Sequence, residues 1–422
     1  MRRFYISALA IAMLCGSDAM AQKLTLLPTA EGQMFAGLCI SPNGRYIAGS
    51  DYYTYSGFVA DRTTGEAKVS EVVDEEGCEW RSVNDNGVAA GFNGPAATFD
   101  INGTLTTLAG GEHTVGEGIT ADGSIVVGSS SPSYVSHAVL WRNGVMETLP
   151  EPTTEDMGFT VGGTAAKFVS TDGKTIVGWI VDDLATFPFI VWTWDDASSS
   201  YKLNTLCKNL FEPNDGDKSK PYEMVMPTGV SGDGKYIALT VIPTGTSDQL
   251  PARYNMETGK LTVATLAAEG SALVSGTPLV ASGIANDGTL VGYTGDMQNM
   301  AERKGYIWKA GEDSPKLLAE AYPAITEFAE YDLYGMHVPS SITPDAHYMV
   351  GFCMDADQNF KTYVLDFKAE PSAIESIENG NANGAVVPVA RYNAGGQKTS
   401  VNVKGLNIVR MSDGSVRKFM VK

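Results

Sequence analysis

The sequence is poor in the side chains on which most catalysis and metal binding depend. It has four histidines, His113, His137, His337 and His347, and none falls into HExxH or another paired metal-ligand spacing. It has five cysteines and no CxxC pair, which argues against a structural zinc site. There is no GxSxG, no P-loop and no GxGxxG opening a helix, so the common hydrolase and nucleotide signatures are missing. Basic residues are scarce too: 30 Lys and Arg against 49 Asp and Glu give a formal net charge of −19. A surface this acidic repels phosphate backbones, so nucleic acid is not an expected partner, and the charge serves solubility. No apolar run is long enough for a membrane helix. No cofactor is expected.

What is present begins with MRRFYISALAIAMLCGSDAMAQ. Arg2 and Arg3 form a positive end, residues 4–14 a short apolar run, and Ala19-Met20-Ala21 a small-x-small site before Gln22. This reads as a cleaved signal peptide over residues 1–21. The alternative, a lipoprotein signal on Cys15, has Leu14 in a place where a smaller residue is usual. Removing the leader leaves Cys39, Cys78, Cys207 and Cys353, which sequence allows to be free thiols or two disulfides in any of three pairings.

Glycine is abundant, with 46 residues, many in DG, NG or TG pairs. Aligning those turns exposes an internal repeat. The segments are ISPNGRYIAGS (40–50), VNDNGVAAGF (83–92), ITADGSIVVGS (119–129), VSTDGKTIVGW (169–179), VSGDGKYIALT (230–240), IANDGTLVGY (284–293) and ITPDAHYMVGF (342–352). Six carry glycine at the turn, because tight hairpin turns demand positive φ; the seventh has Ala346, which implies another turn type or mild strain. A second half follows in most units, as in AVLWRNGVMETL (138–149), and places Phe99, Trp141, Trp192, Tyr254 and Trp308 at matching positions. Each unit therefore reads as strand A, tight turn, strand B, loop, strand C, turn, strand D. One such sheet cannot bury its own faces. Seven arranged around an axis can, so the expected fold is all-β, a seven-bladed propeller over residues 22–367. The aromatic positions are expected to pack between blades. The seventh unit lacks a strand D, and QKLTLLP (22–28) resembles VMETLP (145–150). We therefore expect Lys23–Leu27 to pair with Thr362–Phe367 and close the ring.

The pattern G-I-x-x-D-G-x-x-V-V-G followed by A-x-x-W-x-x-G-x-x-x-x-L, matched best by Gly118–Leu149, resembles the HAF-type extracellular repeat. The resemblance covers roughly residues 34–367. It implies a secreted bacterial protein, propeller-like and mostly non-catalytic, and names no substrate.

Composition shifts at Lys368. Residues 368–385 read as a linker, and 386–422 alternates like short strands around Asp413-Gly414. Tyr392-Asn393, Gly396-Gln397, Lys404-Gly405-Leu406, Ile408-Val409-Arg410 and the basic end from Lys418 to Lys422 are similar to the C-terminal sorting domain of the type IX (Por) secretion system. That resemblance implies a small β-sandwich read by the export machinery. A tail that only folds is the other reading.

In such blades the A–B and C–D turns share one face and the longer B–C and D–A loops the other, which is where binding is expected. Tyr52, Tyr53 and Tyr55 lie in the first long loop, and Trp80 with Arg81 enter the second strand A from that side. Two positions before the apolar residue of each strand A stand Leu38, Arg81, Glu117, Lys167, Thr228, Ser282 and Ser340. Arg81, Glu117 and Lys167 would thus meet near the axis, either to hold a polar ligand or as an inter-blade ion-pair network. A short helix interrupted at Pro323 is expected within 316–330. NDGD at 214–217 resembles the start of a calcium loop without its later acidic ligand, or a solvated loop.

The reading is an exported, monomeric, non-catalytic binding or scaffolding propeller at the bacterial cell surface, its partner a glycan or protein. The location expected is the periplasm, the outer-membrane surface or the extracellular space. The alternative is a propeller glycosidase or lyase with rim carboxylates, for which Asp156, Glu223 and Asp296 are available. A purely structural surface protein is the third.

Overall fold

The computed structural model describes residues 22–368 and 388–421, apart from 30–31, 74–76, 183–185, 212–219, 267–272, 274–275, 296–302, 394–397, 400–403 and 412–415. The signal-peptide segment, most of the linker and the calcium-like NDGD lie outside the described residues. Residues 22–367 form one compact unit, and the strands after residue 388 belong to another.

The first unit holds seven four-stranded antiparallel sheets. In six of them the strands follow one another in chain order. The strands at the axis, one per sheet, are Phe35–Ile40, Cys78–Val83, Thr114–Ile119, Gly163–Val169, Tyr222–Val230, Leu279–Ile284 and His337–Ile342. The seventh sheet takes its outer strand from the other end of the chain. Lys23–Leu26 runs antiparallel to Phe360–Asp366, with Lys23 opposite Asp366 and Leu26 opposite Tyr363. The Leu27 amide adds a bond to the Thr362 carbonyl at 2.9 Å. The fold is a seven-bladed β-propeller closed by its N-terminal strand.

Local chemistry explains each repeat. The six turn glycines have φ between +72° and +87°, and Ala346 takes +53° with the same closing bond, Ala346 N to Thr343 O. That alanine carries a strain of about 1–2 kcal/mol. A hydroxyl or amide at the start of the turn satisfies its backbone. Ser41 Oγ, for example, accepts from Tyr46 N, and Thr120 Oγ1, Ser170 Oγ, Ser231 Oγ and Thr343 Oγ1 repeat the bond in their blades. The third-strand aromatics pack between blades as expected: Phe99, Trp141, Trp192, Tyr254 and Trp308 are all buried.

The turn face is belted by bonds of 2.8–3.2 Å from one blade to the next. Asn43 N bonds Asp85 Oδ1, Asp85 N bonds Ala121 O, Ala121 N bonds Thr171 O, and Thr171 N bonds Gly232 O. Asp233 N then bonds Asn286 Oδ1, and Asn286 N bonds Pro344 O. All four cysteines of this unit are buried free thiols.

Helices Leu318–Ala321 and Glu327–Leu333 flank Pro323 and cover the loop end of blade seven. Phe328 of the second helix stacks on His337, ring centroids 4.9 Å apart. Tyr363 closes another side at 5.0 Å, Tyr331 a third at 6.1 Å, and Asp332 Oδ1 stands 3.7 Å from His337 Nδ1. Burial lowers the His337 pKa below its ordinary 6.5, and Asp332 offsets this only in part. The unfolded chain then takes up a proton as pH falls through about 6.5 while the folded chain does not, so stability is lost below that pH. A thermal melt series from pH 7.5 to 5 should show this loss, and it should be shallower in His337→Phe. An unchanged slope in that variant would count against the buried neutral imidazole.

The tail unit contains a three-stranded antiparallel sheet, Pro388–Asn393, Gly405–Met411 and Val416–Val421, with the middle strand paired on both sides. Among the described residues no helix is long and apolar enough to cross a membrane.

Candidate functional site

Every axial strand is interrupted at one equivalent position, and Tyr222–Val230 has a second slip between Tyr222 and Met224. The register against the second strand slips between Gly37 and Cys39, Trp80 and Ser82, Gly116 and Gly118, and Ala166 and Phe168. It slips again between Pro227 and Gly229, Ala281 and Gly283, and Pro339 and Ser341. The skipped residues are Leu38, Arg81, Glu117, Lys167, Thr228, Ser282 and Ser340, the same seven that the repeat alignment brings into line. A β-bulge leaves its extra residue unpaired and re-aims its side chain. Here all seven line one cavity on the propeller axis, of about 420 Å³.

The bulge also explains the second glycine of the repeat. It drives a carbonyl of the axial strand against the second strand: a Cβ at Gly91 would lie 1.9 Å from Glu79 O. The equivalent glycines of five other blades face the same approach, at 2.0 to 2.4 Å. Blade five has Leu239 there, opposite Pro227.

Three layers line the cavity. At the turn end Pro42, Thr171, Gly232 and Pro344 converge, and a Cβ on Gly232 would come within 2.7 Å of Pro344 Cγ, so this end is narrow. Next is a girdle of β-branched residues, one per blade: Ile40, Val83, Ile119, Val169, Val230, Ile284 and Ile342. Towards the loop face lies the bulge layer with Glu79.

The charged groups sit in neighbouring blades. Arg81 Nη1 donates to Glu117 Oε1 at 2.6 Å, and Arg81 Nε donates to Glu79 Oε1 at 2.6 Å. Lys167 Nζ donates to the same Glu117 Oε1. Burial opposes the charge on Arg81, but Glu117 and Glu79 outweigh it and hold the guanidinium above its ordinary pKa. Burial pulls Lys167 below the usual lysine value, with Glu117 offsetting only part. Each cation also covers a ring of the second strand: Arg81 Cζ is 5.0 Å from the Phe92 centroid and Lys167 Nζ 4.2 Å from that of Trp179. The inter-blade ion-pair network is therefore present. Opposite it, blades five to seven contribute hydroxyls. Thr228 Oγ1 and Ser282 Oγ are buried with no hydrogen-bond partner among the described residues, and Ser340 Oγ reaches Val338 O only at 3.5 Å.

The other candidate residues separate. Trp80 is a correction: it does not face the pocket or solvent. It is fully buried between blades one and two, stacked on Phe99 at 5.7 Å, because strand alternation turns it away from Glu79 and Arg81. Tyr52 lies on Phe360 at 4.5 Å on the loop face. Tyr53 and Tyr55 are exposed at 70% and 71%, Tyr55 with φ +56°. Glu79 is the residue that sequence reasoning missed. It stands two positions before Arg81, and strand alternation was the available signal. Among the described residues no group of three His, Cys, Asp or Glu side chains could hold a metal ion.

No protein-family model matches the chain, and no curated protein resembles it closely enough to count as a match. Solved structures do resemble it in fold. Oligogalacturonate lyase from Vibrio parahaemolyticus is similar over 83% of this chain and 94% of its own, at 15% identity and TM-score 0.48. The β-propeller domain of the trilobed protease from Pyrococcus furiosus is similar over 80% and 95%, at 12% identity and TM-score 0.46. TolB from Acinetobacter baumannii is similar over 82% of this chain and 66% of its own, at 13% identity and TM-score 0.39. These likenesses concern the propeller fold and carry no activity across.

Proposed function

We propose that the chain is an exported, non-catalytic binding propeller of the bacterial periplasm or cell surface, which receives its ligand in the axial pocket from the loop face. The observation that carries this reading is the convergence of seven bulge side chains on one pocket. A stack of blades needs no bulge residue aimed at its axis, and bulges commonly serve to re-aim side chains at sites. The exposed Tyr53 and Tyr55 on the loop face add contact area outside the pocket lining. Export is supported by the leader-like residues 1–21, the HAF-type pattern and the tail similar to a type IX sorting domain.

Binding is favoured over hydrolysis because the pocket carboxylates Glu79 and Glu117 are both tied to Arg81. A general acid needs the opposite setting, an isolated carboxyl among apolar groups. The test is a glycan and surface-protein array probed with the mature chain, residues 22–422, and its Arg81→Ala/Lys167→Ala variant. The expected result is a wild-type signal that falls at least tenfold in the variant while the fold, checked by circular dichroism, is kept. A variant that binds every array ligand normally would refute the pocket as the site.

A further inference from the structure

Four of the residues lining the axial pocket are charged: Arg81, Lys167, Glu79 and Glu117. Two positive and two negative groups sum to zero, and they are arranged as one hydrogen-bonded chain. An anionic ligand would meet Arg81 and Lys167 already paired with Glu117, whose side chain is 7% exposed. It would also approach a chain of net charge −19. A cationic ligand would find Glu79 already committed to Arg81. The charged arc is therefore suited to hydrogen bonding rather than to charge pairing. Arg81 keeps unused N–H groups, and a carboxylate has four lone-pair sites, of which Glu79 uses few.

Across the axis the requirement is complementary. Thr228 and Ser282 line the pocket on adjacent blades at equivalent bulges, and their hydroxyl oxygens are buried and unpartnered among the described residues, so each meets a ligand by turning about χ1. A buried hydroxyl without a partner is costly, and two together call for a common explanation. Below both arcs the girdle from Ile40 to Ile342 offers only methyl groups. Phe168 is the one aromatic residue lining the pocket; Phe92 and Trp179 lie under Arg81 and Lys167 and outside that lining.

We infer that the axial pocket is built for an uncharged, hydroxyl-rich ligand, a neutral glycan segment, whose hydroxyls bridge the Arg81–Glu79 arc and the Thr228–Ser282 arc. This rests on the binding role proposed above for the same pocket. About 420 Å³ lies within the usual range for small-molecule sites and suits a short glycan segment or chain end.

The experiment is calorimetric titration of the mature chain with neutral hexose oligosaccharides and with uronic-acid oligosaccharides of equal length. It is repeated on Thr228→Val/Ser282→Ala and on Arg81→Ala/Lys167→Ala. Neutral oligosaccharides should bind at least tenfold more tightly than the uronates, and each double variant should weaken them about tenfold, two hydroxyl bonds being lost in the first. Thr228→Val/Ser282→Ala should melt no lower than wild type, since it removes two unsatisfied groups. A lower melting temperature would assign those hydroxyls to the fold and overturn the inference. Tighter uronate binding that still depends on Arg81 would overturn the neutral class and leave the pocket as the site. So would Arg81-dependent binding of a peptide with no glycan bound. Glycan binding indifferent to both variants, or no binding in either titration or array, would overturn the pocket's role as well.

Discussion

A chain beginning at residue 28 will melt about 10 °C below the mature protein and will aggregate on heating. The strand Lys23–Leu26 supplies the outer edge of blade seven, and Leu27, 5% exposed, is buried beside it. Removing the segment loses about 2 kcal/mol of leucine burial and about 3 kcal/mol in strand hydrogen bonds, each of modest net value. A loss of about 5 kcal/mol in a domain this large corresponds to about 2 °C per kcal/mol. It also bares Phe360–Asp366, which carries the buried Tyr363, Val364 and Leu365, as an unpaired edge. A synthetic peptide of residues 22–28 added in excess should recover part of the lost stability, because it binds only the folded state. Differential scanning calorimetry with light scattering is the measurement. A truncated chain that melts with the parent would mean that the ring is held by blade contacts alone.

Glu117→Ala should have an effect of similar kind from the centre of the molecule. It leaves Arg81 and Lys167, which share one Glu117 oxygen, as neighbouring cations with that oxygen gone. Breaking a buried pair from one side costs about 3–5 kcal/mol. The low end applies, because Arg81 retains Glu79 and its side chain is 32% exposed. A drop of about 6 °C is expected. Lys167→Met on top of Glu117→Ala should restore most of it, since an apolar chain of similar length can lie against Trp179 without an uncompensated charge. Failure of that second change to recover stability would show that Glu117 acts through packing and not through charge. Both variants should lose ligand affinity in the titrations above, which separates the ligand's demand for the charged arc from the fold's demand for neutrality.

The sequence alone determined the architecture, and for local reasons. Gly44, Gly87, Gly123, Gly173, Gly234 and Gly288 mark turns that only positive φ can make, so the blade count was written in single residues. The equivalence of Trp141, Trp192 and Trp308 marked the third strands, and the stray β-segment before residue 28 had one vacant edge to fill. The axial alignment of Leu38 through Ser340 was also legible, because seven repeats keep one frame.

Tertiary structure decided the rest. A β-bulge needs no special residue at its own position; its trace is the glycine of the partner strand, such as Gly91 opposite Trp80, whose meaning appears only once the two strands are paired. Trp80 looked available beside Arg81, but it points to the other side of the strand, where blade one covers it. The repeat frame brought Arg81, Glu117 and Lys167 together, but that both cations bond the same Glu117 oxygen, across 36 and 50 positions, is set by side-chain geometry. The burial of Thr228 Oγ1 and Ser282 Oγ without a partner among the described residues is likewise a product of how the blades pack.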